Sequence, residues 1–218
     1  MGSFMPLVAS DHGAQIDRLM LYVHVLMAVL FVGWGIYFAY CLVRFRRKKN
    51  PAADPTGVKS HTSSYLEVAV AVIEVLLLVG ISIPFWIAEV DAFPKPEDNA
   101  FEVRVVAQQF AWNIHYPGPD GLFGRTSVEY VDDETNPVGI DPADAAGKDD
   151  VQSKILRLPV DRPALLHLSS KDVVHSFGVP EFRIKHDAIP GMSIPLHFTP
   201  TMTTAELREK TGNNARGF

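Results

Sequence analysis

The amino-acid sequence predicts a hairpin of two transmembrane helices followed by an all-β domain of the sandwich or barrel type. Two apolar runs within the first 90 residues predict the helices, and a short basic loop separates them. After residue 93 the chain has many short alternating segments, with Pro- and Gly-rich turns between them and no long amphipathic helix. This pattern is typical of β domains rather than of helical domains.

The overall composition narrows the classes of function. The formal net charge is −5 and 21% of the residues are charged. A nucleic-acid-binding protein usually carries a basic surface, so we expect no nucleic-acid partner. The single cysteine, Cys41, lies in the first apolar run. Within this sequence it excludes both a disulfide framework and a metal motif built from two cysteines.

The first apolar run is long enough to cross a membrane. Residues 1–18 form a polar segment without the features of a cleavable signal peptide, and we expect this segment on the outer side. Residues 19–43 contain no Asp, Glu, Lys or Arg. At a rise of about 1.5 Å per residue, a helix of this length crosses a hydrocarbon core of about 30 Å. A helix also satisfies its own backbone in lipid.

The charges around the second apolar run predict the topology. Residues 44–65 form a loop with six basic residues against one acidic residue, Asp54. By the positive-inside rule this loop is cytoplasmic. Residues 66–88 then form the second transmembrane helix and return the chain to the outer side, where residues 89–218 form the β domain. Both termini are therefore expected on the outer side.

Two acidic residues interrupt the second apolar run. Glu67 and Glu74 are seven residues apart, so they share one helix face about 10 Å apart along the axis. Carboxylates within a membrane are costly, which makes both residues functional candidates. The alternatives are a neutral Glu74 that hydrogen-bonds to a partner helix and a Glu67 that is an ordinary interfacial residue.

Alternating apolar residues predict the strands of the outer domain. They occur at residues 101–116, which end in a Pro-Gly turn, and again at 156–160 and 163–168. Period-2 alternation is the pattern of half-buried strands. A short helix is predicted at Thr204 to Lys210. The acidic stretch 122–154 has little periodicity, and it is either an exposed loop in solvent or a docking surface for a basic partner.

His175 lies between apolar residues at the predicted end of a strand. Imidazole is a good ligand for copper and zinc. A single histidine in a strand is nevertheless more often structural than ligating, so the residues alone do not decide its role.

The order of motifs resembles subunit II of the haem-copper oxidases, of the bacterial cytochrome c oxidase type. The resemblance covers residues from about 19 to 198. It depends on the helical hairpin and on four segments of the outer domain: Gln109-Phe-Ala-Trp-Asn-Ile-His-Tyr-Pro-Gly-Pro-Asp-Gly, Leu158-Pro-Val-Asp-Arg-Pro, Ser170-Lys-Asp-Val-Val-His-Ser-Phe and Lys185-His-Asp-Ala-Ile-Pro-Gly-Met.

The resemblance implies a cupredoxin-like Greek-key sandwich that holds CuA, a centre of two copper ions. By its place in the family motif, His175 is implied as one copper ligand. The family's other ligands come from a later loop, Cys-x-Glu-x-Cys followed by His and Met, and the sequence has no such loop. Either the sequence stops before this loop, which we favour, or the protein is a copper-free relative such as a quinol oxidase subunit.

The resemblance also implies partners and further functional residues. The partners are oxidase subunit I with the other oxidase subunits, cytochrome c, and the lipid of the bacterial inner membrane. The implied function is to accept electrons from cytochrome c through copper and to pass them to haem in subunit I. There oxygen is reduced and protons are pumped, so this chain alone does no oxygen chemistry.

Four residues take family roles in this interpretation. Trp112 and Phe110 would admit the electron, with Trp112 the better candidate because Phe110 replaces the family's usual first Trp. Glu67 would lie at the mouth of a proton pathway into subunit I. Asp187 would face subunit I, although its turn motif explains it equally well. A structural membrane anchor with a partner-binding β domain is the alternative from another class.

Overall fold

The computed structural model describes residues 5–52, 56, 59–95 and 98–212. It divides into two compact units. A helical unit covers Gln15–Ala92, and an outer-domain unit joins the residues before 15 to those from 93 onward. Asp54 of the predicted cytoplasmic loop and residues 213–218 lie outside the described residues.

The helical unit contains two long helices. The first, α1, covers Gly13–Arg44. The second begins as α2, Thr62–Leu77, passes through a π-helical turn, Leu78–Ser82, and continues as α3, Ile83–Asp91. Pro84 lies in the first turn of α3. Proline has no N–H to donate and its ring crowds the preceding turn, so a wider turn just before it relieves the conflict.

Both helices are long and apolar enough to cross a membrane. The two candidate spans are Gly13–Arg44 and Thr62–Ala88, and none of the residues in their most apolar windows is buried within the protein. They include the predicted spans 19–43 and 66–88. Long apolar helices that are not buried by the rest of the chain require lipid or another protein around them.

The described part of the outer domain contains seven strands in two sheets. The five-stranded sheet has the order β3-β2-β1-β4-β7, and β5 and β6 form a two-stranded sheet. The β1–β4 pair is parallel, and every other pair is antiparallel. The strands are β1 Phe101–Gln108, β2 Ala111–Tyr116, β3 Val151–Ser153, β4 Ala164–Ser170, β5 His175–Val179, β6 Ile184–Ala188 and β7 Ile194–Phe198.

The core lies between these two sheets. Alternate residues of β1 and β4 are fully buried because successive side chains of a strand point to opposite faces. They pack with Phe177, Ile184 and Ala188 from the small sheet in one hydrophobic cluster. Two apolar helices followed by an all-β sandwich confirm the predicted fold class. The buried residues of the large sheet in this cluster are Val103, Val105, Ala107, Ile114, Ala164, Leu166, Leu168, Leu196 and Phe198.

The segment before α1 is part of the outer domain and not a free tail. Ala9 is fully buried and Ser10 is almost fully buried. The N–H of Ala9 donates to the carbonyl of Glu181 at 2.8 Å, and the carbonyl of Ala9 accepts from the N–H of Thr201 at 2.8 Å. Ser10 Oγ donates to the carbonyl of Phe182 at 2.8 Å. These bonds fix the chain at the start of α1.

Two of the predicted strands are confirmed and one is wrong. The alternation at 101–116 forms β1 and β2, and the alternation at 163–168 forms most of β4. Residues 156–160 form no strand. Pro159 has no N–H for a ladder, and the apolar side chains of Leu156 and Leu158 pack against the edge of the core without strand pairing.

The acidic stretch 122–154 is better folded than an exposed loop. It includes two 3-10 turns, Val128–Tyr130 and Ala146–Lys148, and the short strand β3. The side chain of Asn136 donates to the carbonyls of Tyr130 and Ile140 and accepts from the N–H of Ile140. Ile140 is buried. The prediction of a simple exposed excursion was therefore wrong for the middle of this stretch.

The predicted helix near the end of the described chain is confirmed. Helix α4 covers Thr204–Thr211. Thr203 and Glu206 form a capping box, in which each side chain accepts from the other residue's backbone N–H. The helix ends at Gly212, whose φ of 70° is the left-handed conformation that glycine adopts without strain.

Candidate functional site

The parallel pairing of β1 and β4 brings two turns to the same edge of the large sheet. Ala107 near the end of β1 is paired with Ser170 at the end of β4. The turn after β1 carries Phe110, and the turn after β4 leads to His175. The N–H of Lys171 donates to the carbonyl of Ala107 at 3.0 Å, which ties the second turn to β1. Sequence positions more than 60 residues apart are thus brought together.

His175 begins β5 at this edge. Its side chain is 19% exposed to solvent, and its Nε2 lies 2.7 Å from Oδ1 of Asp172. A carboxylate only accepts hydrogen bonds, so the neutral imidazole carries its proton on Nε2. Within the described residues Nδ1 has no hydrogen-bond partner. An unprotonated ring nitrogen at a partly exposed position is the form of histidine that binds metals.

Asp172 is the centre of the hydrogen bonds in the turn. Its Oδ2 accepts from the N–H of Gln109 at 2.7 Å, and its Oδ1 accepts from the N–H of Val173 at 2.7 Å as well as from His175. The bond from His175 and then the two backbone bonds hold the pKa of Asp172 far below its usual range. The sequence analysis did not single out Asp172. Its position three residues before the histidine, in a turn, was the available signal.

The two predicted electron-transfer residues, Phe110 and Trp112, follow β1, whose end lies beside the turn that leads to His175. Their environments differ. Phe110 stands at the tip of the first turn, after a cis Gln109–Phe110 peptide bond, and is 95% exposed. Trp112 is half-buried, with its ring 6.1 Å from the ring of His175 and 5.6 Å from that of Phe177. The ring of Trp112 therefore packs against that of the histidine, whereas the side chain of Phe110 lies in solvent.

The residues of this site supply one metal ligand and no complete metal centre. His175 offers one imidazole nitrogen, which suits copper. Among the described residues no group of three or more His, Cys, Asp or Glu side chains could hold a metal ion. The single cysteine of the sequence, Cys41, lies in α1. A dinuclear copper centre thus cannot be completed from the described residues alone.

Asp187 belongs to β6, the strand that pairs with β5. Asp187 is exposed on β6, one position from Ala188, which pairs with His175. The Asp-Ala-Ile-Pro-Gly motif continues into a turn, in which the N–H of Met192 donates to the carbonyl of Ile189 and Gly191 has a φ of 74°.

Glu67 belongs to the helical unit. It lies in the second turn of α2, where its Oε1 accepts from Ser63 Oγ at 2.8 Å. This bond is local to one helix face, because the two residues are four positions apart. The side chain of Glu67 is exposed in the helical unit, as is that of Glu74.

A buried histidine–aspartate hydrogen bond in the outer domain was not predicted from the sequence. His115 Nε2 lies 2.6 Å from Oδ2 of Asp150, and both side chains are fully buried. The carboxylate also accepts from the N–H groups of Gly118 and Gly124. In the described part of the chain, His115 Nδ1 has no hydrogen-bond partner. Burial lowers the pKa of His115, against the opposing effect of Asp150.

The fold and the site define a membrane-anchored, cupredoxin-like protein with one candidate metal-binding histidine at the edge of its sandwich. Residues 101–204 match the family described as cytochrome c oxidase subunit II, periplasmic domain. The outer domain is therefore of the cytochrome c oxidase subunit II type. The apolar helices and the periplasmic domain of this family indicate an inner-membrane protein.

Individual relatives agree with this assignment. An alternative cytochrome c oxidase subunit 2 from Bradyrhizobium diazoefficiens is 33% identical over 177 residues, which are 80% of this chain and 61% of that protein. A cytochrome c oxidase subunit 2 from Synechocystis is 27% identical over 212 residues, 89% of this chain and 63% of that protein. The chain thus spans about three-fifths of the length of these relatives.

A solved structure with detectable similarity is the periplasmic domain of subunit II of cytochrome oxidase from Bradyrhizobium japonicum. It is 23% identical, with a TM-score of 0.32, and the match covers 50% of this chain and 68% of that chain.

Proposed function

We propose that this chain is the subunit of a respiratory terminal oxidase that accepts electrons from cytochrome c. The observation that carries the proposal is the position of His175 in a domain of the subunit II family. Its Nδ1 has no partner within the described residues, and the ring of Trp112 lies 6.1 Å away. An unprotonated imidazole nitrogen beside an aromatic path from the surface suits a metal centre that receives electrons.

In this proposal His175 contributes one nitrogen to a dinuclear copper centre. The copper, when bound, supplies the one-electron redox couple. The residues of this chain hold the imidazole in place and separate it from solvent through Trp112 and Phe177. The remaining ligands belong to residues outside this sequence. Haem and oxygen reduction belong to the partner subunit I, so the chain by itself performs no oxygen chemistry.

The proposal places both termini on the periplasmic side of the inner membrane. The bonds of Ala9 to Glu181 and Thr201 support this arrangement, because they hold the residues before α1 within the outer domain. Two membrane crossings between these points return the chain to the same side. Glu67, near the start of the second helix, would then lie at the cytoplasmic end and take up protons. Asp187, exposed on β6, would face subunit I.

The test is made on the oxidase complex that contains the full-length protein. We expect copper in metal analysis and rapid oxidation of reduced cytochrome c. We also expect that His175→Ala abolishes both, while the control His186→Ala, an exposed histidine of β6, abolishes neither.

Two outcomes contradict the proposal. A complex that lacks copper and oxidises a quinol, but not cytochrome c, would identify a copper-free quinol oxidase subunit. Retention of copper and activity in His175→Ala would remove the histidine from the centre.

A further inference from the structure

We infer that Asp172 is a positioning residue that presents His175 to the metal, and that it also ties the histidine to the turn of Phe110. The part of the inference that concerns the metal rests on the proposed function. The part that concerns the imidazole is independent of it.

The carboxylate of Asp172 fixes the protonation of the ring. Oδ1 lies 2.7 Å from Nε2 of His175 and can only accept, so the Nε2–H tautomer is favoured and Nδ1 keeps its lone pair. Both side chains are partly shielded from solvent, with Asp172 32% exposed and His175 19% exposed. This shielding reduces the competition of water for the hydrogen bond. Hydrogen bonds to the far nitrogen of a ligating histidine fix its tautomer and ring orientation and raise its basicity.

Asp172 is itself held from two directions. The N–H of Val173, in its own turn, donates to Oδ1, and the N–H of Gln109, in the neighbouring turn, donates to Oδ2. Ser170 Oγ lies 3.3 Å from Oδ1 and also bonds the carbonyl of Val173. The carboxylate therefore connects the Gln109–Phe110 turn to His175 through direct hydrogen bonds.

This arrangement has a consequence for substitution. Alanine at position 172 removes the acceptor for the N–H groups of Gln109, Val173 and His175 and for the hydroxyl of Ser170. Asparagine keeps the shape but offers one acceptor oxygen instead of two, so it cannot accept from both Gln109 and His175 at once. Alanine therefore releases the preference for the Nε2–H tautomer, and asparagine weakens it because its single neutral oxygen must serve either Gln109 or His175. Loss of such an outer contact typically lowers metal affinity by about 10- to 100-fold.

The first test needs no metal. The full chain is prepared metal-free in detergent with ¹⁵N-labelled histidine, and the signals of His175 are assigned by their loss in His175→Ala. We expect Nε2–H and unprotonated Nδ1 in the wild type at a pH where the ring is neutral. In Asp172→Ala we expect both tautomers. Asp172→Asn serves as the second variant if the alanine variant does not fold.

The matched control is Asp144→Ala. This residue also accepts a backbone N–H in a surface turn, from Arg125, and no contact joins it to a histidine. A purely structural role for Asp172 would leave the tautomer unchanged in folded variants. The inference is overturned if Asp172→Ala and Asp172→Asn both keep the wild-type tautomer, or if the wild type carries its proton on Nδ1.

The second test separates this inference from the proposed function. Copper retention by the oxidase complex is measured against a chelator in the wild type, Asp172→Asn and His175→Ala. We expect about 10- to 100-fold weaker retention in Asp172→Asn and no copper in His175→Ala. Copper retained in His175→Ala rejects the proposed function and leaves the tautomer result standing. Retention in Asp172→Asn equal to the wild type rejects the positioning role at the metal.

Discussion

The Nε2 atom of His115 lies 2.6 Å from the Oδ2 atom of Asp150, and neither side chain is exposed to solvent. His115 lies on β2, and Asp150 comes directly before β3, which pairs with β2. The pair therefore closes the long connection between two neighbouring strands. The same carboxylate accepts from Gly118 at the start of this connection and from Gly124 within it.

We predict that Asp150→Ala destabilises the outer domain strongly. The substitution leaves the N–H groups of Gly118 and Gly124 and the ring of His115 buried without a partner. Unsatisfied buried donors cost about 1–3 kcal/mol each, so we expect a loss of about 3 kcal/mol or more. Thermal unfolding of the full chain in detergent, followed by near-ultraviolet circular dichroism, measures it. The control is the neighbouring Asp149→Ala, which loses one long bond of 3.4 Å and should change little.

The stability of the outer domain should also fall in mild acid because of His115. Burial lowers the pKa of His115 in the folded state, despite the hydrogen bond and attraction of Asp150, and the positive charge of Arg104 lowers it further. In the unfolded chain the ring has its ordinary pKa of about 6.5. Below that pH the unfolded state binds more protons than the folded state, so stability is full above pH 6.5 and decreases as the pH falls towards the folded pKa.

The measurement is the midpoint of unfolding between pH 8 and pH 5 in the wild type and in His115→Gln. Glutamine keeps a donor for Asp150 but cannot be protonated. We expect the variant to be less stable at pH 8 and to lose less stability on acidification. Equal pH slopes in the two proteins would show that another group causes the dependence.

The sequence predicted the main elements because their signals are local. The uncharged run 19–43 and the alternation at 101–116 need only one helix or one strand to be recognised. Residues 156–160 show the limit of such signals. Their alternation is real, and Leu156 and Leu158 do pack on the core, but Pro159 prevents the pairing that makes a strand.

The site was predictable only in part, for a related reason. The motif identified His175, and the register of β1 with β4 then brought it to the turn of Phe110. That register is a long-range property that the period of the alternation does not encode. Asp150 was hidden among many acids of a polar stretch, because burial of one carboxylate depends on a histidine 35 positions earlier. Asp172 was overlooked because an aspartate in a turn is common.

Glu67 provides a test of proton uptake in the helical unit. We predict that Glu67→Ala lowers the turnover of the oxidase complex by about tenfold, equivalent to about 1.4 kcal/mol in the barrier, because protons lose their acceptor at the cytoplasmic end. Glu67→Asp should retain most of the activity. Turnover and proton pumping are measured in vesicles.

Ser63→Ala is the matched control for Glu67. It removes the local bond to Glu67 without removing the carboxylate, so turnover should stay near the wild-type value. Unchanged turnover and pumping in Glu67→Ala would exclude this role and leave Glu67 as an interfacial residue.

The two aromatic residues of the first turn provide the sharpest test of electron transfer. Phe110 is 95% exposed and Trp112 contacts the rings of His175 and Phe177. We predict that Trp112→Phe slows the oxidation of reduced cytochrome c by at least about tenfold, equivalent to about 1.4 kcal/mol in the barrier. Phe110→Ala should have a smaller effect, because its side chain touches the solvent and not the histidine.

Stability measurements on both variants show whether a slower oxidation of cytochrome c is caused by loss of folded protein. An exposed side chain such as Phe110 should contribute less than about 0.5 kcal/mol to stability. Trp112→Phe leaves a partly filled space and should cost less than about 1.5 kcal/mol. The rate is measured by stopped-flow mixing of the complex with reduced cytochrome c at two ionic strengths, so that weaker docking is distinguished from slower transfer. A larger loss in Phe110→Ala than in Trp112→Phe would reverse the assignment and make the exposed ring the first acceptor.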